Sequence, residues 1–174
     1  ARPGHFQELS AEIFEQAMSI NYFGTLYCIQ AVLPSMQALQ SGQICLVSSG
    51  AGLLGLYGYS AYGASKFAVR GLAESLRAEL KPEGIQVAIA YPPDTDTPQL
   101  LAENKTKPAA TKKITATAKL WQPEAVANVI LQGMKKGKFV ISPGLEISIL
   151  TRFHSLILPL LNRYFDGIVS QYPR

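Results

Sequence analysis

Cysteine, histidine and long apolar runs are scarce in this chain of 174 residues. Its two cysteines, Cys28 and Cys45, sit inside apolar runs without pairing spacing. That excludes a disulfide framework and reads as two buried structural thiols in a reducing compartment. The two histidines, His5 and His154, are far apart and lack companion Cys or carboxylate residues at ligand spacing. Neither a metal site nor a Ser-His-Asp hydrolase is expected. No P-loop and no HExxH motif occurs. The N-terminal residues 1–10 lack the apolar stretch of a signal peptide. No window reaches the ~18 uncharged apolar residues of a simple spanning helix.

Charge is scarce too. Charged residues make up 16% of the chain and hydrophobic ones 48%, enough to bury a sizeable core and too apolar for a disordered segment. The formal net charge of +4 comes from 16 Lys+Arg against 12 Asp+Glu. Much of the basic excess lies in Lys105, Lys107, Lys112, Lys113 and Lys119, then Lys135, Lys136 and Lys138, without interleaved aromatics that would stack bases. No nucleic-acid partner is expected, and a solvated lid or a face toward anionic lipid fits better.

What remains is an alternation of helix and strand. From Ser10, a plausible N-cap, the run through Val32 has Glu12 in its first turn and an apolar stripe at Phe14, Met18, Thr25, Cys28 and Val32, with Asn21 on that stripe. The strand QICLVSS follows the Ser41-Gly42 breaker and opens into a glycine-dense loop. A second helix over 60–81 carries Ala64, Ala68, Leu72, Leu76 and Leu80 and stops at Pro82 and Gly84. Then come the strand IQVAIAY, a loop over 92–98, a short helical piece near 99–103, a mobile Lys/Thr/Ala stretch to Lys119, a helix over 123–136 and a brief strand KFVIS. Apolar strands bounded by helices predict an α/β architecture with a parallel sheet covered on both faces.

Gly50, Gly52 and Gly55 spell G-x-G-x-x-G directly after a strand. No helix opens at that cluster, and no acidic residue ends a second strand about 20 positions on, so it is not the dinucleotide fingerprint. The loop reads as a flexible wall beside Ser49. Its Leu53, Leu54, Leu56, Tyr57 and Tyr59 either line a lipid-chain site or pack as an ordinary loop.

Tyr62 and Lys66 are four positions apart on the second helix and so share a face. By itself that spacing is an ordinary amphipathic surface. Ser49, however, ends the preceding strand at its carboxyl end, where open α/β sheets place ligands, and Gly63 and Ala64 let a flat ligand approach. A phenol of pKa near ~10 is a poor acid-base catalyst at neutral pH, but an adjacent ammonium favours the phenolate. Lys66 is placed to supply that charge, Ser49 to hydrogen-bond a carbonyl oxygen, and Asn21 to hold a water linking Lys66 to solvent, unless it is a satisfied core amide.

LVSSGAG followed by YGASK, with Tyr62 thirteen positions after Ser49, resembles the Ser and Tyr-x-x-x-Lys signature of the short-chain dehydrogenases/reductases. INYFGT resembles the segment that carries their catalytic Asn. The resemblance implies a Rossmann-type doubly wound parallel sheet. It implies that Tyr62 is the general acid/base, Lys66 its pKa-lowering and ribose-binding partner, Ser49 the carbonyl-orienting group and Asn21 the anchor of a relay water. The loop YPPDTDTP matches the family's Pro-Gly-x-Val-x-Thr at Pro92 and Thr97 and departs from it at Pro93 and Thr95. This implies cofactor contacts from Pro92, Thr95 and Thr97, alongside Tyr62 and Lys66.

PPDTDTP, with ENKTKP after it and GLYGYSAYGASKFAVRGLAESLRAELKP before it, is similar to the 3-ketodihydrosphingosine reductase branch, closely over the first two thirds of the chain. That branch implies NADPH as cofactor, a long-chain lipid ketone as substrate, a role in sphingolipid synthesis, and the cytosolic face of the endoplasmic reticulum membrane. Two alternatives stay open: reduction of another hydrophobic carbonyl, such as a retinoid or steroid, and a non-catalytic membrane-bound or dimerising module. In the family the glycine-rich turn and the first four strands precede the Asn segment. Residues 1–144 are therefore expected to be the C-terminal catalytic part of a reductase domain, with an unpaired sheet edge. Alone, they are expected neither to bind dinucleotide tightly nor to turn over.

Residues 145–174 form the expected helical tail. Its polar residues, including Ser148, Arg152, Ser155, Asn162 and Asp166, recur at helical spacing and leave a broad apolar face from Ile149 to Val169, with a kink at Pro159. An in-plane membrane anchor and packing on the domain or in a homo-oligomer interface are the two readings of that face.

Overall fold

The computed structural model describes residues 1–116 and 118–172. Thr117 of the expected mobile stretch and the last two residues of the expected tail lie outside these. Helix α1 (Ala11–Met18) passes through a π-helical turn at Ser19–Phe23 into α2 (Gly24–Leu39). The single helix read from the stripe is thus interrupted by a wider turn around Asn21, the kind of insertion found at functional positions. Past α2, Gln40 turns left-handed at φ 48°, and its N–H bonds to the Gln37 and Met36 carbonyls. Gly84 closes against that turn: its φ is +72° and a Cβ there would strike the Gln40 carbonyl.

Three parallel strands, β1 (Gly42–Val47), β2 (Ile85–Ala90) and β3 (Val140–Ile141), form one sheet in the order β1-β2-β3. Ile44 lies opposite Val87 and Leu46 opposite Ile89. On one face Ile44, Leu46, Ile85, Val87 and Ile89 cluster with Ile29 of α2 and with Val69, Ala73 and Leu80 of α3 (Ser60–Leu80). On the other, Ala88, Ala90 and Ile141 meet Val129, Ile130 and Met134 of α6 (Pro123–Lys135). Alternate side chains of β2 thus face opposite helical layers, which gives the doubly covered parallel sheet read from the sequence. Among the described residues β1 has no strand on its other side, and Val47 there is 48% exposed.

Several expectations change. Cys28 is exposed, because α2 turns only Ile29 fully inward in that stretch; Cys45 is half-buried, with burial pushing its thiol up. Within the Lys/Thr/Ala stretch, α4 (Pro98–Thr106) is followed by α5 (Ala109–Thr115), which buries Ala110, Thr111 and Ile114. The Thr111 hydroxyl donates to the Tyr57 carbonyl at 2.8 Å, tying α5 to the glycine-dense loop. Within that loop Leu53, Leu54 and Tyr59 are buried, so these three pack rather than line an open chain site.

The tail is one helix, α7 (Leu145–Val169), with Pro159 inside it. Ile147 and Leu150 reach the core, while Leu145, Ile149, Phe153, Leu156, Leu160 and Tyr164 form a single exposed stripe. Among the described residues no helix is long and apolar enough to cross a membrane.

Candidate active site

Two serines follow the carboxyl end of β1. Ser48 is buried; its N–H bonds the Ala90 carbonyl at 2.8 Å and its Oγ donates to the Lys66 carbonyl at 3.0 Å, joining both strand ends to α3. Gly52 makes this approach feasible: a Cβ there would collide with Ser48 Oγ and lie 3.0 Å from the Lys66 carbonyl oxygen. The glycines that mimic a nucleotide fingerprint therefore include one that seats a helix against a strand. Ser49 caps the short turn Gly50–Gly52, its Oγ accepting from the Ala51 N–H at 3.3 Å.

Tyr62 lies in the first turn of α3 and Lys66 one turn on, its Nζ 5.6 Å from the Tyr62 ring centre. Lys66 Nζ donates to the Val47 carbonyl at 3.0 Å, which leaves two of its three N–H donors for a ligand. Burial pushes the Tyr62 phenol above its ordinary value, polar contacts with Ser49 and Gln99 oppose the rise, and the Glu103 and Asp94 carboxylates reinforce it. Burial also holds the Lys66 ammonium below its usual range. The expected lowering of the phenol by Lys66 is therefore not what the structure shows. Desolvation dominates, two carboxylates add to the rise, and the groups that oppose it are Ser49 and Gln99.

Asn21 reaches α3 from the π-helical turn. Its Nδ2 donates to Ser65 Oγ at 2.9 Å, and Ser65 donates to the Tyr62 carbonyl at 2.7 Å. Its amide nitrogen is thus engaged with buried Ser65, as a core amide would be. The loop after β2 carries Pro92, Thr95 and Thr97. Thr95 Oγ1 donates to the Pro93 carbonyl at 2.8 Å, and Thr95 pairs with Trp121 in an isolated bridge. Thr97 Oγ1 donates to the Thr95 carbonyl at 3.2 Å and caps α4 by accepting from the Leu100 N–H at 3.3 Å. Both hydroxyl protons shape the loop itself.

A second group of side chains was not singled out by spacing. The buried Tyr59 ring lies 5.8 Å from that of Tyr62, and its hydroxyl donates to Glu103 Oε2 at 2.8 Å. Gln99 donates to Glu103 Oε1 at 2.7 Å, and the Ala1 amino nitrogen lies 3.6 Å from the same oxygen. Lys107 is buried with its Nζ 6.0 Å from the Tyr59 ring centre. Glu103 and Lys107 are four apart, an ordinary surface pair by spacing; only the packing of α4 over the glycine-dense loop buries them.

A family model described as short chain dehydrogenase matches residues 1–108. The chain is 50% identical over 141 residues to the mouse (Mus musculus) 3-ketodihydrosphingosine reductase, covering 81% of this chain and 42% of the relative. It is 45% identical over 174 residues to the 3-ketodihydrosphingosine reductase of Dictyostelium discoideum, covering 92% of this chain and 52% of the relative. The chain thus spans about half the length of these curated relatives. Among solved structures, a short-chain dehydrogenase from Sphingobium yanoikuyae in complex with NADPH superposes with a TM-score of 0.74 at 24% identity, over 100% of this chain and 63% of that one. A short chain dehydrogenase from Burkholderia cenocepacia in complex with NADP gives 0.77 at 21% identity, over 94% and 65%. These likenesses establish a Rossmann-type fold. With the family model matching well over half the sequence and a serine, a tyrosine and a lysine meeting at the carboxyl end of a parallel sheet, the chain belongs to the short-chain dehydrogenase family.

Proposed function

We propose that the protein to which this chain belongs reduces 3-ketodihydrosphingosine with NADPH in sphingolipid synthesis. The observation that carries this is the meeting of Ser49, Tyr62 and Lys66 beside the β1 terminus, in a chain 50% identical to a reductase of that name. Bound NADPH supplies the hydride that the carbonyl carbon receives. The free donors of Lys66 suit a ribose hydroxyl, and the family resemblance assigns the turn from Pro92 to Thr97 to the nicotinamide end. Tyr62 supplies the proton to the carbonyl oxygen while Ser49 orients that oxygen. A phenol held above its ordinary value is protonated at neutral pH, the form a reduction needs.

The test uses the full-length protein with NADPH, offering the sphingoid ketone, a retinoid and a steroid ketone. Reduction of the first is expected, with a loss of about 10²–10⁴ in rate for Tyr62→Phe. Turnover of only the retinoid or steroid, or an unchanged rate in the variant, refutes the reading.

The exposed stripe of α7 supports an in-plane contact with a membrane surface, proposed here as the cytosolic face of the endoplasmic reticulum, where a long-chain lipid substrate is encountered. Lys136, Lys138 and Arg152 line a groove beside the same helix and suit anionic headgroups.

A further inference from the structure

A groove of about 640 Å³ lies between α6, β3 and α7. Three exposed cations line it, Lys136 and Lys138 from the turn before β3 and Arg152 from α7, and none of the described residues that line it is acidic. None of the three makes an ion pair among the described residues. Like charges gathered around one concave surface focus a positive field there, and the complementary occupant is an anion.

The wall behind the cations is fixed. Ser148 Oγ donates to the Ser142 carbonyl at 3.1 Å, Thr151 Oγ1 donates to the Ser148 carbonyl at 3.0 Å, and the Ser142 and Thr151 hydroxyls meet at 3.1 Å, which fastens α7 to the end of β3. The sheet edge adds a main-chain donor. The Phe139 and Ile141 carbonyls accept from the Ile89 and Tyr91 N–H groups, so the N–H of Val140 between them points to the open edge, where the described residues place no further strand.

Along α7, Ser148, Thr151 and Arg152 face this groove while Ile149, Phe153 and Leu156 fall on the adjoining exposed stripe. A cationic groove beside an apolar face matches the order of chemistry in a phospholipid, an anionic phosphate followed by acyl chains. A second copy of the chain fits less well. With only two residues, β3 offers few ladder bonds to another strand, and a symmetric pairing would set two clusters of three cations against each other.

We propose that this groove binds the phosphate of an anionic phospholipid, Lys136, Lys138 and Arg152 holding the headgroup while the acyl chains lie along the α7 stripe. The inference rests on the membrane reading above and adds to it a choice of lipid. It also fixes the rotation of α7 about its own axis, with the groove at headgroup depth and Phe153 and Leu156 in the acyl layer.

The experiment is flotation of the full-length protein with vesicles of phosphatidylcholine alone and of phosphatidylcholine with phosphatidic acid. Each basic residue at an anionic surface is worth about fivefold in partitioning, so the preference for the anionic vesicles is expected to fall ~10²-fold in the Lys136→Gln/Lys138→Gln/Arg152→Gln variant, with partitioning onto neutral vesicles unchanged. Lys105→Gln/Lys112→Gln/Lys113→Gln removes the same charge from α4 and α5 and is expected to keep the preference. Equal losses in the two variants, or an unchanged preference in the groove variant, overturn the inference while leaving the membrane contact standing. Binding of the wild type to neither vesicle overturns both. Displacement from the anionic vesicles by an equal concentration of inorganic phosphate assigns the groove to a soluble anion and overturns the lipid. Should the groove variant not accumulate, crosslinking on the wild type decides. Phosphatidic acid with a photoreactive group beside its phosphate is expected to label the segment 128–152, and labelling confined to other segments overturns the inference.

Discussion

A methyl group added at Gly52 perturbs the seat of α3 without touching any residue that contacts substrate. An alanine Cβ there would overlap Ser48 Oγ and press on the Lys66 carbonyl at 3.0 Å. Ser48 can yield only by rotating its hydroxyl away from that carbonyl, leaving a buried Oγ that is 3% exposed in this structure without its 3.0 Å partner. Losing a buried hydrogen bond costs ~1–3 kcal/mol. Overpacking adds ~1–3 kcal/mol, and the stiffer unfolded chain returns ~0.4–1 kcal/mol. Gly52→Ala should therefore destabilise the full-length protein by about 2–5 kcal/mol in equilibrium denaturation. Because the strain lands on the turn of α3 that holds Lys66, kcat/KM should fall by about 10² if the catalytic pair shifts by an ångström. Ser48→Ala removes the colliding oxygen. The double variant should be more stable than the sum of the single losses predicts, by ~1–2 kcal/mol. Additivity within about 0.3–0.5 kcal/mol, or a Gly52→Ala protein of normal stability, refutes the account of how the loop seats the helix.

Three other outcomes are expected. Burial pushes the Tyr91 hydroxyl up from 10.0 to about 12, so the unfolded chain releases this proton first. Stability should fall as pH rises through that window, and Tyr91→Phe should flatten the slope in an alkaline denaturation series; an unchanged slope contradicts the assignment. Asn21→Ala and Ser65→Ala each break the 2.9 Å link between the π-helical turn and α3, costing ~0.5–1.5 kcal/mol. The double variant should cost little more than either, and full additivity would show that the link does not matter. Leu156→Glu with Leu160→Glu should abolish flotation of the full-length protein with anionic vesicles, since each leucine contributes ~1.5–3 kcal/mol when buried. Unchanged flotation removes the membrane reading of α7. Loss of self-association on gel filtration instead assigns the stripe to a second copy.

Much of the site is legible before folding because its spacing is local. Tyr62 and Lys66 share a face on any helix, and Ser49 falls at the end of any strand that precedes it by one loop. The charged neighbours of Tyr59 are not legible in that way. Glu103 and Lys107 read as surface residues, and they meet Tyr59 only because α4 folds back over the glycine-dense loop, to which α5 is tied by Thr111. The Lys/Thr stretch reads as mobile because its cations dominate the composition, whereas the three residues that bury it are small or isolated, Ala110, Thr111 and Ile114.

The same division holds for the protein as a whole. Periodicity and breakers determine the helices and strands, since these depend on contacts within a few residues. The parallel sheet follows from apolar strands that need cover on both sides. Tertiary structure decides the rest. It sets the proton affinity of Tyr62, through burial and two carboxylates distant in sequence from it. It divides α7 into core-facing and exposed sides, because only packing chooses which part of a broad apolar face is covered. It also buries Glu103 against the hydroxyl of Tyr59, 44 positions away, a neighbourhood that no spacing encodes.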